Sequence, residues 1–123
     1  MTDYSKLTDK QIAELLATKV MGWHKEIWDK LGQPVHYWFA NGHIVIPCKE
    51  WHPCADLNQA VECAVVLWKT GNPCVELMIE RPFVEGNDIE WRAYVDNGNR
   101  KWWEAINTSP ARALCEAVLM AVE

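Results

Sequence analysis

Apolar positions recur along this chain with two alternating periods. From residue 9 to 21, Ile12, Leu15, Leu16 and Val20 fall at helical spacing. They follow Thr8-Asp9-Lys10-Gln11, in which the Thr8 side chain is placed to accept from the amide three residues on while Gln11 reaches back. Gly22 suits a left-handed helix end, with Trp23 folding back as its apolar contact. The segment HKEIWDKLGQP (24–34) fits either a helical extension or an insertion, closed by Pro34. Two apolar runs flank Asn41-Gly42, a strong short-range hairpin signal, which gives strands near 35–39 and 43–46. Pro47 and Pro53 remove backbone donors and bias their predecessors toward extended backbone, so 47–55 reads as a loop. Asp56 then caps a helix over 57–70, with Gln59 returning to its start. Leu57, Val61, Val65 and Trp68 line one face of that helix up to Gly71.

The period then changes to two. CVELMIE alternates Val75, Leu77 and Ile79 with Glu76, Met78 and Glu80, and IEWRAYV alternates Ile89, Trp91, Ala93 and Val95 with Glu90, Arg92 and Tyr94. RKWWEAIN supplies a third strand, and EGND and DNGN supply the turns. Ser109-Pro110 opens a last helix as N-cap and first-turn proline, with Ala111, Leu114, Cys115, Val118, Leu119 and Val122 as its apolar stripe. The pattern predicts an α+β domain covering 1–123, an antiparallel β-sheet between helices in the order α-β-β-α-β-β-β-α. From residue 56 onward the order matches a double-stranded-RNA-binding domain. Such domains place a lysine cluster at the start of the final helix, where SPARALCEA offers only Arg112.

Composition narrows the function classes. Half of the 123 residues are apolar, eight are Trp, and no run reaches the roughly 18 apolar residues a membrane span needs, so no membrane partner is expected. MTDYSKLTDKQ lacks the basic and apolar regions of a secretory signal, so a reducing cytosol is the expected location. Five Cys is an odd number. Cys63 and Cys115 sit inside helical apolar patterns as small core residues, so structural disulfides are not expected. Net charge is −5, with acids in excess over 72–123 and Arg100-Lys101 the only adjacent basic pair. Nonspecific nucleic-acid binding, which needs clustered Lys and Arg to displace counterions, is not expected.

Three stretches carry a resemblance: ATKVMGW (17–23), WHPCADLNQAVE (51–62) and TSPARALCEAVLMAVE (108–123). In that order and spacing the chain resembles the phage ABA-sandwich domain family, small proteins of tailed phages and prophages, over all but 24–46. It departs at PCAD, where that family has Thr or Ser near the second helix cap. The resemblance implies a single α/β/α sandwich, a viral origin and a place in the host bacterial cytoplasm. It implies no activity. A second layer also suits Met78, Tyr94 and Trp102, which are too apolar for a sheet face left to water, and the N-terminal helix is the natural cover.

Candidate chemistry is sparse. CKEWHPC (48–54) offers Cys48, His52 and Cys54, but a structural zinc site needs a fourth ligand, and the second closely spaced pair is missing. Pro53 and Asp56 explain the stretch as the start of a helix, so no metal is expected there. A thiol nucleophile would need a base beside it, and only His52 is near in sequence. His24, His36 and His43 are dispersed, Glu76, Glu80, Glu85, Asp88 and Glu90 look like a solvated face, and no phosphate-binding glycine loop occurs. No cofactor and no catalytic residue is assigned, and a non-enzymatic role is expected.

The tryptophans remain. Trp23, Trp68 and Trp91 fall on inferred core faces, whereas Trp102 and Trp103 must point to opposite sides of one strand. Trp51 lies just before a helix N-terminus, which favours anions. Trp38, Trp51, His52, Arg92 and Trp103 therefore form the candidate ligand-binding set, an aromatic and partly cationic pocket for a nucleotide or a partner side chain. The expected role is a phage accessory protein that binds and blocks a host component. Its target is a nucleotide-derived immune signal held between subunits of a homo-oligomer, or else a host protein. A Cys/His-dependent enzyme and a virion or assembly protein are the alternatives.

Overall fold

A computed structural model describes residues 2–69, 76–80, 90–96 and 102–123, without the side chains of Lys30 and of 76–80. The elements run α1 (Asp9–Leu15), β1 (His24–Lys30), β2 (Gln33–Ala40), β3 (His43–Pro47), α2 (Leu57–Lys69), β4 (Glu76–Glu80), β5 (Trp91–Asp96), β6 (Trp102–Asn107) and α3 (Pro110–Val122). Among the described residues the chain is mixed α+β with three α-helices and antiparallel strands, as the periodicity predicts. Two features differ from the expected order and layering. One strand is additional, β1, and the strands form two separate three-stranded sheets, β1-β2-β3 and β4-β5-β6, in place of one. Gly71, Cys74, Val75, Glu85, Asp88 and Ile89 and most of the two turns expected at 85–88 and 96–99 lie outside the described residues.

The extra strand corrects the helical alternative for 24–34. It pairs antiparallel with β2, from His24 opposite Phe39 to Lys30 opposite Gln33, around a two-residue turn in which Leu31 and Gly32 both have positive φ. Asn41-Gly42 repeats that turn between β2 and β3, the geometry that matches the twist of paired strands. Leucine disguises the first turn, because a side chain at positive φ costs about 1–2 kcal/mol.

Local signals hold at the helix ends. Thr8 and Gln11 form the full reciprocal capping box. After α1 the chain widens into a π-helical turn over Leu16–Val20 and leaves through Gly22 at φ +72°, where the Trp23 amide donates back to the Ala17 carbonyl at 2.8 Å. Ser109 caps α3 by accepting from the Arg112 amide, with Pro110 in the first turn.

α3 is the centre of the molecule. Residues 111 to 119 are all buried, because β5 and β6 cover one side and α2, α1 and the first residues cover others. Two charges are carried inside. Arg112 Nη1 meets Asp9 at 2.6 Å and its Nε meets Glu116 at 3.2 Å, while Nη2 donates to the Tyr4 and Leu7 carbonyls at 2.9 and 2.7 Å. The guanidinium thus ties the N-terminal segment to the core. Burial works against its charge, but Asp9 and Glu116 outweigh burial and hold it above the ordinary range. Burial pushes the Glu116 carboxyl up, against the opposing pull of Arg112 and Asn107.

Two expected faces are corrected. α2 buries Ala60, Cys63, Ala64 and Leu67, one position out of phase with the expected stripe, and Trp68 is 60 % exposed. Small residues win that face because α2 packs against α3 there, and close approach gains more contact than a ring held at a distance. On the second sheet Ala93, Val95 and Ala105 are buried under α3 as alternation requires, whereas Trp102, also 60 % exposed, and Ile106 stay open. α1 packs against α3, and so does not serve as a cover for Trp102.

Candidate functional site

α1, the first sheet and the 48–55 loop enclose a cleft of about 260 Å³. Asp9, Lys10, Ala13 and Glu14 line one wall, Trp38 and Lys25 come from β2 and β1, and Cys48, Trp51, His52, Cys54 and Ala55 come from the loop. The helical wall follows from spacing, since residues i, i+1, i+4 and i+5 share one side of a helix. On the sheet, Lys25 and Trp38 are register partners, so both side chains point to the same face.

Side-chain bonds to the backbone hold the loop. Trp51 Nε1 donates to the Ala13 carbonyl at 2.9 Å, and the Trp51 ring meets Trp23 edge-on with centroids 4.8 Å apart. Gln59 does not return to its own helix start as expected. Its Oε1 accepts from the His52 amide at 2.8 Å and its Nε2 donates to the Glu50 carbonyl at 2.8 Å, leaving Asp56 to cap α2 through the Asn58 and Gln59 amides. The first turn of α2 therefore fixes the backbone on both sides of Trp51 and leaves the His52 ring exposed.

Lys25 is the charged centre of the site. Its Nζ lies 2.6 Å from Glu14 Oε1 and 5.2 Å from the Trp38 ring centroid, and that hydrogen bond holds the Glu14 carboxyl below its usual range. Two grooves adjoin the cleft at the same lysine. One, of about 590 Å³, adds His36 and Lys49 to Lys10 and Lys25; the other, of about 580 Å³, runs past Trp23, His24 and Thr18. Cations gather here although the whole chain is acidic.

The structure brings together three of the five residues singled out from sequence: Trp38, Trp51 and His52. Arg92 and Trp103 lie in the other sheet, outside the cleft lining. Arg92 Nε is 3.1 Å from Glu104 and its Nη1 donates to the Tyr94 hydroxyl at 3.0 Å, while Trp103 is half-buried opposite Val95. The indoles of Trp38 and Trp51 are themselves buried, so they floor the cleft and offer no open face for stacking. Sequence reading missed Asp9, Lys10, Glu14 and Lys25. A capped helix shows which residues share a side, but only the hairpin, hidden by Leu31, brings Lys25 over that side.

The thiols differ in setting. Burial pushes half-buried Cys48 up and Cys63, deep in the core, up to about 12. Cys54 goes the other way, lowered first by a hydrogen bond from Cys115 and further by Arg112, against burial and Asp9. No hydrogen bond joins Cys54 to His52, and among the described residues no three His, Cys, Asp or Glu side chains are grouped to hold a metal ion. No helix among them is long and apolar enough to cross a membrane. No family model, curated protein or solved structure matches this chain, and the phage ABA-sandwich resemblance rests on its three sequence stretches alone.

Proposed function

We propose that this chain is a non-enzymatic binding protein that captures a small anionic ligand of nucleotide type in the cleft around Lys25. One observation carries the reading: Lys25 stands over the Trp38 ring and borders the cleft and both adjoining grooves. Its partner Glu14 is a half-exposed carboxylate, which an incoming phosphate can replace at small cost because exposed ion pairs are worth only about 0–1 kcal/mol. Lys10 and Lys49 extend the cationic lining for further phosphate oxygens, and the His36 ring borders the same groove.

Size fits a fragment better than a polymer. About 260 Å³ lies just under the roughly 300–1,000 Å³ of pockets that bury a drug-sized ligand. The cleft itself suits a phosphoribosyl unit, with the base lying in a groove. Nanomolar capture needs about −12 kcal/mol, more than one lysine and two ring edges supply, and a pocket completed by a second copy of the chain would provide the rest. Combined with the phage resemblance, this gives an accessory protein that removes a nucleotide-derived signal in the host bacterial cytoplasm. Capture of a host protein is the second reading, favoured by the exposed Trp28 and Ile44, which share the Phe39 face of the first sheet.

Calorimetric titration with adenosine monophosphate, beside inorganic phosphate, tests the leading reading. Saturable heat with the nucleotide, weakened at least tenfold in Lys25→Ala and reduced by salt, supports it. Heat that is equal in wild type and variant, or none with either anion, overturns it.

A further inference from the structure

We propose that β1 is the edge through which this protein self-associates, pairing antiparallel with β1 of a second copy about a two-fold axis at Ile27. The inference uses no property of the ligand and stands apart from that reading. The first sheet has two outer strands, and they differ. β3 loses register with β2 at a bulge and ends on Pro47, features that keep a further strand away. β1 runs seven residues without glycine or proline, in unbroken register with β2. Among the described residues no strand pairs with its outer side, and Ile27, at its middle, is 62 % exposed. A regular, partly apolar edge of this kind is a template for another strand.

The turn at Leu31-Gly32 decides which backbone groups of β1 are free. A two-residue turn closes through a hydrogen bond between its flanking residues, here the register partners Lys30 and Gln33. Bonded and open positions then alternate back along the pair. The backbones of Trp28, Glu26 and His24 bond to β2, so Asp29, Ile27 and Lys25 turn their amides and carbonyls outward. A second β1 can bond only where its own outward residues meet these. That requirement excludes every register in which an odd-numbered residue faces an even-numbered one.

Charge selects among the registers that remain. A two-fold axis at Lys25, Glu26 or Asp29 sets a charged residue against its own copy, which destabilises a strand pair. An axis at Trp28 sets the apolar Ile27 opposite a carboxylate, that of Asp29. With the axis at Ile27, each Lys25 lies opposite Asp29 of the other copy and the two isoleucines meet. Ladder hydrogen bonds and the isoleucine contact hold the strands together, while the two charge pairs fix their register. Lys25 shares a sheet face with its register partner Trp38, so the joined six-stranded sheet carries both clefts on one face. Four residues of strand separate the two lysines, roughly 14 Å.

Sedimentation velocity of the full chain across a dilution series, with no ligand added, tests the proposal. A monomer–dimer equilibrium is expected. Ile27→Pro, which removes an outward amide and leaves the bonds to β2 in place, should weaken it at least tenfold. Asp29→Lys, which sets like charges opposite each other, should weaken it as much, and Lys25→Asp combined with Asp29→Lys should restore it. A chain that is monomeric at every concentration overturns the proposal and leaves the edge to a strand of another protein. A dimer that Asp29→Lys leaves unchanged, or that the double variant does not recover, overturns it too. Should Ile27→Pro fail to fold, the charge exchange alone decides.

Discussion

Two ion-pair clusters in this molecule share their chemistry and differ in their surroundings. Arg112 with Glu116 lies inside, their side chains 9 % and 5 % exposed, while Asp9, its side chain 73 % exposed, meets the guanidinium from the rim. Lys25 with Glu14 stands at the cleft mouth, 41 % and 42 % exposed at 2.6 Å, shorter than the 3.2 Å of the buried Arg112–Glu116 pair. Distance is therefore no measure of worth. A buried pair cannot be opened without leaving a charge in a medium that solvates it poorly, whereas water or a ligand replaces either partner of an exposed one. The inner cluster is structural; the outer one is available for exchange.

Substitutions break this comparison in descending order of effect. Arg112→Ala strips Glu116 and two backbone carbonyls of their donor and should cost about 3–5 kcal/mol in denaturant unfolding. The double variant Arg112→Met with Glu116→Leu should recover most of that loss, since no buried charge is left alone. Ser109→Ala removes the cap of α3 and should cost about 1 kcal/mol. Lys25→Ala should change stability by less than about 1 kcal/mol while weakening nucleotide binding at least tenfold. A stability loss in Lys25→Ala comparable to that of Arg112→Ala would erase the distinction.

Acid titration should show the smallest effect, with opposite signs at the two clusters. Glu116 has a raised folded-state pKa, so between its unfolded value of 4.5 and that raised value the native state binds more protons. Its contribution to stability is full below that window and is lost as pH rises through it. Glu14 is lowered, so its contribution is present above 4.5 and is lost as pH falls through the depressed folded value. Unfolding curves across this range should show the upper loss disappear in Glu116→Gln and the lower one disappear in Glu14→Gln.

Legibility in the sequence followed the range of the interactions. Caps at Thr8, Asp56 and Ser109, the Asn41-Gly42 turn and the alternation in β5 are local, and each appears where the residues place it. The phase of α2 was not legible, because Ala60 and Ala64 are buried only once α2 packs against α3. Nor was β1, whose His24, Glu26 and Lys25 show no apolar alternation and whose turn seats a leucine at positive φ. Of the site, Trp38, Trp51 and His52 were found through residue type, while Lys25 and Glu14 meet only through the hairpin. Arg112 looked like a deficient basic cluster, and nothing short of the folded N-terminal segment reveals it as an internal anchor.

Native mass spectrometry of the chain isolated at low salt from the cells that express it, beside Lys25→Ala, tests the central claim most directly. Exchange at Lys25 predicts a wild-type chain that retains a phosphate-bearing small molecule and a variant that flies bare. A bare wild-type chain, or the same adduct on both, would contradict it.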